Sequence, residues 1–222
     1  MGYRLDNKEI DITGKRLTKI ATGATGDVYK YKNNALNIFK KDKETPIDVE
    51  TATALTGIST NRILLPKNLL FYNNSFRGYT YKLVSKKGSG KRMIMLPKKD
   101  FIENITSLER DIEVLSNKKV LLNGVDPSNS IFNGNLYLTD PSKYTMLEGF
   151  SPDELERLNK YQLHLLLTSL ITTELRKNNF PSNIERQVKE LLQIKDDNDN
   201  SSNFFSDIIG NEDTLKQFIK KI

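Results

Sequence analysis

Apolar and polar positions change their rhythm about two fifths of the way along the chain. In residues 16–39, RLTKIATGATGDVYKYKNNALNIF, short β-favouring runs are parted by TGATG and by Asn33-Asn34. Asn tolerates φ > 0, so the pattern predicts a three-strand antiparallel meander with a tight second turn. ILLPKNLLFYNN and FRGYTYKLV predict two more strands, joined through Asn73-Asn74. Between the two groups, TPIDVETATALTGI predicts one helix, with Thr45 as N-cap, Pro46 at the first helical position, Asp48 in the first turn and Gly57 at the close.

After Gly90 the period becomes helical. Phe101, Ile102, Ile105, Leu108, Ile112 and Leu115 recur at three- and four-residue steps, which predicts a core-facing helix behind an Asp100 cap. Residues 151–179, 181–194 and 213–222 predict further helices, and KDDNDNSS, residues 195–202, reads as a mobile loop. The expected fold class is therefore α+β: a strand-rich part over residues 1–84 with one helix, and a mainly helical part over residues 85–222, forming one two-lobed unit.

Composition removes much chemistry. The chain of 222 residues has no cysteine and a single histidine, His164, so thiol catalysis, disulfides, cysteine-held metals and a Ser-His-Asp triad are excluded or disfavoured. His164 lies in an apolar helical stretch, where a structural role is expected. No stretch approaches the ~20 apolar residues of a membrane span, and the amino end has no apolar signal core, so a cytoplasmic protein is the expectation. Gly2 is followed by Asp6 where a myristoylation signal needs Ser or Thr.

The net charge of +6 raises a nucleic-acid partner as a rival reading. Its densest basic segment is SKKGSGKRMIMLPKK, residues 85–99, with Lys86, Lys87, Lys91 and Arg92 around a Gly-Ser-Gly turn. No helix-turn-helix, finger or aromatic RNA-reading signature accompanies it, and nucleic acid is not the expected partner. GSGKR also departs from a P-loop, with Ser85 at the first glycine and Arg92 at the magnesium-holding hydroxyl.

The chemistry concentrates in PSNSIFNGNLYLTD, residues 127–140. Two β runs flank Asn133-Gly134, a strong hairpin signal, so the hairpin returns Asn129 and Asp140 to the same end of adjacent strands. One amide oxygen and one carboxylate converging there, completed by water and phosphate, suit magnesium. Taken singly, each residue would serve as a strand or turn cap.

These motifs together resemble the protein kinase family, along residues 16–145. IATGATGDVY, residues 20–29, resembles the glycine-rich loop that covers nucleotide phosphates, with Gly23 and Gly26 at its second and third glycines and Ala21 at the first. ALNIFK, residues 35–40, resembles the third strand, which in kinases carries a lysine to the phosphates; Asn37 holds that spacing and Lys40 follows three residues on. Glu50 falls at the lysine's ion-pair partner. FRGYTYKLV resembles the fifth strand leading into the adenine-binding hinge. Asn129 resembles the asparagine that grips a second magnesium, and Asp140 the aspartate of Asp-Phe-Gly.

The resemblance implies a protein kinase-like fold with a five-stranded antiparallel N-lobe, a reduced helical C-lobe, and ATP and Mg2+ as cofactors. The sequence departs from the family pattern at specific places. Leu122 stands at the histidine of the catalytic loop and Gly124 at the catalytic aspartate, Asp126 lies three residues before Asn129, and Asp140 is followed by Pro141-Ser142. No Ala-Pro-Glu element follows. The favoured reading is a Mg-ATP-binding pseudokinase or weak phosphotransferase serving a protein partner. An active atypical protein or small-molecule kinase would use Asp126 as base, and a basic binding protein would keep only the outline.

Overall fold

The computed structural model describes residues 2–12, 17–85, 93–193 and 212–220. The basic residues Lys86, Lys87, Lys91 and Arg92 and the acidic stretch 195–202 lie outside them. The fold is mixed α+β, with an antiparallel sheet followed by helices.

The meander forms as β3 (Thr18–Thr22), β4 (Gly26–Tyr31) and β5 (Asn34–Phe39), and the later pair as β6 (Asn68–Tyr72) and β7 (Ser75–Lys82). Two strands absent from the sequence reading, β1 (Tyr3–Leu5) and β2 (Lys8–Ile10), extend the sheet to seven, in the order β2-β1-β6-β7-β5-β4-β3. Their hairpin turn is fastened by Asp6, whose backbone N–H donates to Leu69 O at 2.8 Å while its carboxylate accepts from Leu69 N at 2.9 Å and Asn68 Nδ2 at 2.7 Å. The hairpin thereby covers the otherwise open edge of β6.

Three boundaries differ from expectation, each for a local reason. In the β4–β5 turn it is Lys32, not the Asn pair, that takes positive φ (54°), and Asn34 already belongs to β5. At Asn73 and Asn74 both φ values are positive, as a two-residue hairpin turn requires. Helix α1 spans Val49–Thr56 and is capped by Asp48, which accepts from Thr51 N and Thr51 Oγ1 at 2.7 Å each; Thr45 and Pro46 stay outside because buried Ile47 anchors the chain in the core first. Helix α2 spans Lys98–Asn117 and starts at Pro97 with no side-chain cap. Asp100 sits in its first turn, and the free Lys98 N–H is taken by the backbone carbonyl of Asp213.

The remaining elements are β8 (Val120–Leu121), β9 (Ser130–Phe132), β10 (Leu136–Leu138), β11 (Thr145–Met146), α3 (Pro152–Lys177), α4 (Ser182–Gln193) and α5 (Leu215–Ile219). Ser151 and Glu154 form a reciprocal capping box that starts α3. β9 pairs with β10 and β8 with β11, both antiparallel. His164 is half-buried on α3. One continuous apolar cluster joins Phe39, Leu55 and Tyr79 of the sheet region to Leu108, Ile112, Leu163 and Leu167 of the helices.

Buried polar side chains of the helices fix the loops that carry the site. Asp111 of α2, 2% exposed, accepts from the backbone N–H groups of Asn61 (2.9 and 3.0 Å to its two oxygens), Arg62 (2.6 Å) and Ile63 (2.9 Å), in the segment joining α1 to β6. That segment pairs with β10: Leu138 N donates to Arg62 O at 2.9 Å, and Leu64 N to Leu138 O at 2.8 Å. Asn104 of α2 accepts from Leu136 N at 2.7 Å and donates to Gly134 O at 3.3 Å, so the β9–β10 ribbon is held from below as well. Asn159 of α3 accepts from Leu122 N at 2.7 Å and donates to Val120 O at 2.9 Å, fixing the approach to residue 124.

Replacing Asp111 with Ala strands three backbone N–H groups, that of buried Ile63 among them. The expected loss of stability is about 3 kcal/mol or more, read as the shift in free energy from chemical denaturation. A loss below about 1 kcal/mol, the worth of an ordinary hydrogen bond, would show that the clamp is not a principal support.

Candidate functional site

The upper half of the site is the inner face of the sheet. Side chains of paired residues share a face in an antiparallel sheet, so the pairings Val28↔Asn37 and Asn37↔Tyr79 put these three on one side, with Ala35 and Phe39 two positions to either side of Asn37. Asn37 is 9% exposed; its Nδ2 donates to the Tyr79 hydroxyl at 3.3 Å, and its Oδ1 is buried without a hydrogen-bond partner. That oxygen lies against Gly26, where a Cβ would stand 2.5 Å from it and 2.9 Å from Ile38 O. Gly26 is therefore demanded by close packing on Asn37, quite apart from any ligand.

The β3–β4 turn closes with Gly23 N donating to Gly26 O at 2.8 Å. Lys40 does not share the face of Asn37. Its ammonium donates to Gly23 O at 2.7 Å and Ala24 O at 3.3 Å, and its backbone N–H to Thr25 O at 2.9 Å. In a trans peptide the N–H points opposite to the carbonyl, so Lys40 turns the amide groups of Ala24 and Thr25 away from itself. Glu50 is exposed on α1, and no ion pair among the described residues joins it to Lys40.

Lys40 instead borders a cleft of about 230 Å³ on the outer face, lined also by Asp27, Tyr29, Ile38, Tyr72 and Arg77. The thickness of the sheet separates this cleft from Asn37, because Asp27 and Ile38 alternate with the inner-face residues.

The lower half is the β9–β10 ribbon and the loop before it. Thr139 donates to the carbonyl of Asn129 through its backbone N–H at 2.8 Å and its hydroxyl at 3.0 Å, which puts the backbones of Asn129 and Asp140 at the same, open end of the ribbon. The Asn129 Nδ2 donates to Gly124 O at 3.1 Å, and its Oδ1 is approached by the Ser128 hydroxyl at 3.5 Å, a weak contact that leaves it able to accept further. Asp140 has φ 62° and ψ 74°, left-handed backbone rarely adopted by a residue with a side chain. Such strain persists where the surrounding structure imposes it and clusters at functional sites. Asp140 accepts weakly from Ser142 N at 3.3 Å, so most of its acceptor capacity stays available.

Asp126 is differently placed. One of its oxygens accepts from Ser128 N at 2.7 Å and from the Ser128 hydroxyl, and the other faces Asn129 Nδ2 at 3.4 Å. It caps the single 3-10 turn Pro127–Asn129.

The two halves communicate through tyrosines. Burial, reinforced by the negative charge of Asp140, raises the phenol pKa of Tyr79 and Tyr144 and pushes Tyr81 up to about 12. Asp140 thus lies close enough to β7 for its charge to be felt there. A packed chain runs from Gly26 to the Asn37 side chain, to the Tyr79 hydroxyl, and on to the surroundings of Asp140. The tyrosines escaped the sequence reading, although Tyr79 and Tyr81, two apart in one strand, signal a shared face.

An amide oxygen and a carboxylate are hard donors of the type magnesium accepts, but two of them fill only part of its shell. Among the described residues no cluster of three or more His, Asp or Glu side chains offers a self-sufficient metal site. The donor set fits a cation that arrives with phosphate oxygens. No family model and no curated protein matches the chain.

The tyrosine couplings have a measurable sign. A phenol whose folded pKa is raised stabilises the fold fully below its unfolded value of 10, and loses that contribution as pH climbs from 10 towards 12 for Tyr81. Asp140→Asn removes one of the two raising causes, so the Tyr81 titration midpoint, followed by NMR of ring-labelled tyrosine, is expected to fall. An unmoved Tyr81 midpoint would place Asp140 away from the sheet.

Proposed function

We propose that the protein is a kinase-like Mg-ATP-binding protein that holds the nucleotide between the Gly23–Gly26 turn and the Asn129–Asp140 end of the β9–β10 ribbon, and transfers phosphate weakly or not at all. Its output is then a nucleotide-dependent surface for a protein partner. The observation that carries this reading is the placement of Asn129 and Asp140 at one end of the β9–β10 ribbon, with the charge of Asp140 felt by Tyr79 and Tyr81 of β7. The order of elements after the β1–β2 hairpin supports it: three strands, one helix and two strands, then helices around a hairpin.

Val28 and Ala35, adjacent to Asn37 on the inner face, would pack on the flat faces of the base. The chain leaving β7 would offer backbone groups to its edge; this linker is tied to the lower ribbon where Asn133 Nδ2 donates to Ser85 O at 2.9 Å. Asn129 Oδ1 and Asp140 would hold the cation. Magnesium, when bound, neutralises triphosphate charge and draws the phosphates into line.

The lean towards binding without transfer rests on the base and the cation. Gly124 occupies the position of the usual catalytic aspartate, and Asp126, the nearby carboxylate, is engaged by Ser128 and Asn129. A base must reach the acceptor hydroxyl, and a carboxylate spent on its own loop has to be released first. Asn37 brings no charge to the phosphates, while Lys40 is tied to turn carbonyls.

Under this reading Mg-ATP raises the melting temperature, since stabilisation grows as RT ln(1 + [L]/Kd) and reaches about 2.7 kcal/mol at a hundredfold excess over Kd. Asp140→Ala removes the magnesium-dependent part of that shift. Transfer of labelled γ-phosphate to the protein or a generic acceptor is expected at background, with Asp126→Ala no lower than wild type. A melting temperature indifferent to millimolar Mg-ATP would overturn nucleotide binding; robust transfer lost in Asp126→Ala would establish an active kinase instead.

A further inference from the structure

The loop after β8 holds a second unusual residue. Gly124 has φ 66°, and a Cβ built on it would stand 2.3 Å from Lys143 Cδ and 3.2 Å from both Cγ and Cε. The methylene chain of Lys143 therefore lies directly across the Gly124 backbone, in the volume that any other side chain would need. The left-handed backbone favours glycine there, and the lysine takes up the space that its missing side chain leaves.

Lys143 reaches this place because it ends the 3-10 turn Pro141–Lys143 that Asp140 caps, and Tyr144 N donating to Pro141 O at 3.0 Å closes the turn. The buried Tyr144 and Pro141 on either side anchor the segment, while Lys143 itself remains exposed. Its ammonium is one bond beyond Cε, above a loop whose Gly124 carbonyl receives the Asn129 amide at 3.1 Å. Among the described residues no hydrogen bond or ion pair engages that ammonium. A cation laid on the loop that carries Asn129, three residues from Asp140 and unengaged, has the placement of an anion ligand.

We propose that Lys143 is the phosphate-binding cation of this site, and that it contacts the terminal phosphate of a bound nucleoside triphosphate from the lower ribbon. The inference rests on the nucleotide reading above and adds to it the source of the positive charge that Asn37 does not supply. It also accounts for Gly124. A lysine stretched over residue 124 substitutes positive charge for the negative carboxylate that phosphotransfer needs at that position, so the same substitution that strengthens phosphate retention removes the base.

The test is calorimetric titration of wild type, Lys143→Ala, Lys143→Arg and the remote control Lys8→Ala with Mg-ATP, Mg-ADP and adenosine, alongside melting temperatures without ligand. Because Lys143 is exposed, its variants are expected to melt like wild type. Lys143→Ala should weaken Mg-ATP binding by about tenfold, the scale of one charge-assisted contact, weaken Mg-ADP less, and leave adenosine unchanged. Lys143→Arg should retain most of the ATP affinity, and Lys8→Ala all of it. Wild-type ATP affinity in Lys143→Ala would overturn the assignment while leaving the nucleotide site standing. Equal losses for ATP and adenosine would also overturn it, by showing that the lysine only packs on the loop. Wild type that binds none of the three ligands would sink both this assignment and the nucleotide reading.

Discussion

The carboxylate of Asp111, buried in α2 and shared among three consecutive backbone N–H groups, is the interaction on which the geometry of the site depends. It fixes the segment between α1 and β6 to the helical part of the molecule. That same segment pairs through Arg62 and Leu64 with Leu138, so one buried side chain sets the height of β10 relative to the sheet. Two residues after Leu138 the chain reaches Asp140. Without the clamp, the sheet and the ribbon would be joined mainly by apolar packing, which is non-directional and does not specify where a single carboxylate stops.

Under the proposed function, the charges around that fixed point suit retention of a nucleotide more than chemistry on it. On the upper side the polar group facing inward is an amide, Asn37, wedged between Gly26 and Tyr79. Lysine at the next available position has gone to the other side of the sheet and braces the glycine turn through its carbonyls. On the lower side Asp140 is held in a left-handed conformation with its oxygens largely uncommitted, while Asp126 is absorbed into its own turn. A long basic side chain then lies over Gly124. On the proposed reading, these groups offer donors to a cation and phosphate, and the carboxylate of the Gly124–Asn129 loop, Asp126, is engaged by its neighbours.

Much of the scaffold could be read in the sequence, because it follows from period and turn chemistry. The meander, the Asn73-Asn74 turn, the Asn133-Gly134 hairpin and the existence of α3 all express local rules. What could not be read arises from contacts distant in sequence. Lys98 needs no cap from Asp100 because Asp213 supplies a carbonyl, and the β1–β2 hairpin exists because β6 offers an edge and Asp6 a fastening. The direction of Lys40 followed from strand alternation, but its destination on the turn carbonyls did not. Nor did any pattern mark Lys143, whose place depends on a 3-10 turn and a glycine nineteen residues earlier.

The central claim is that the β3–β4 turn and the end of the β9–β10 ribbon face one shared cation–phosphate position. Paramagnetic Mn2+ added with ATP to labelled protein reads this directly, because amide signals broaden steeply with proximity to the ion. The account expects ATP-dependent broadening of both groups, Gly23 to Gly26 and Asn129 to Lys143, with Phe150 and the α4 amides left sharp. Broadening confined to one of the two groups, or equal broadening with Mn2+ alone, would contradict it.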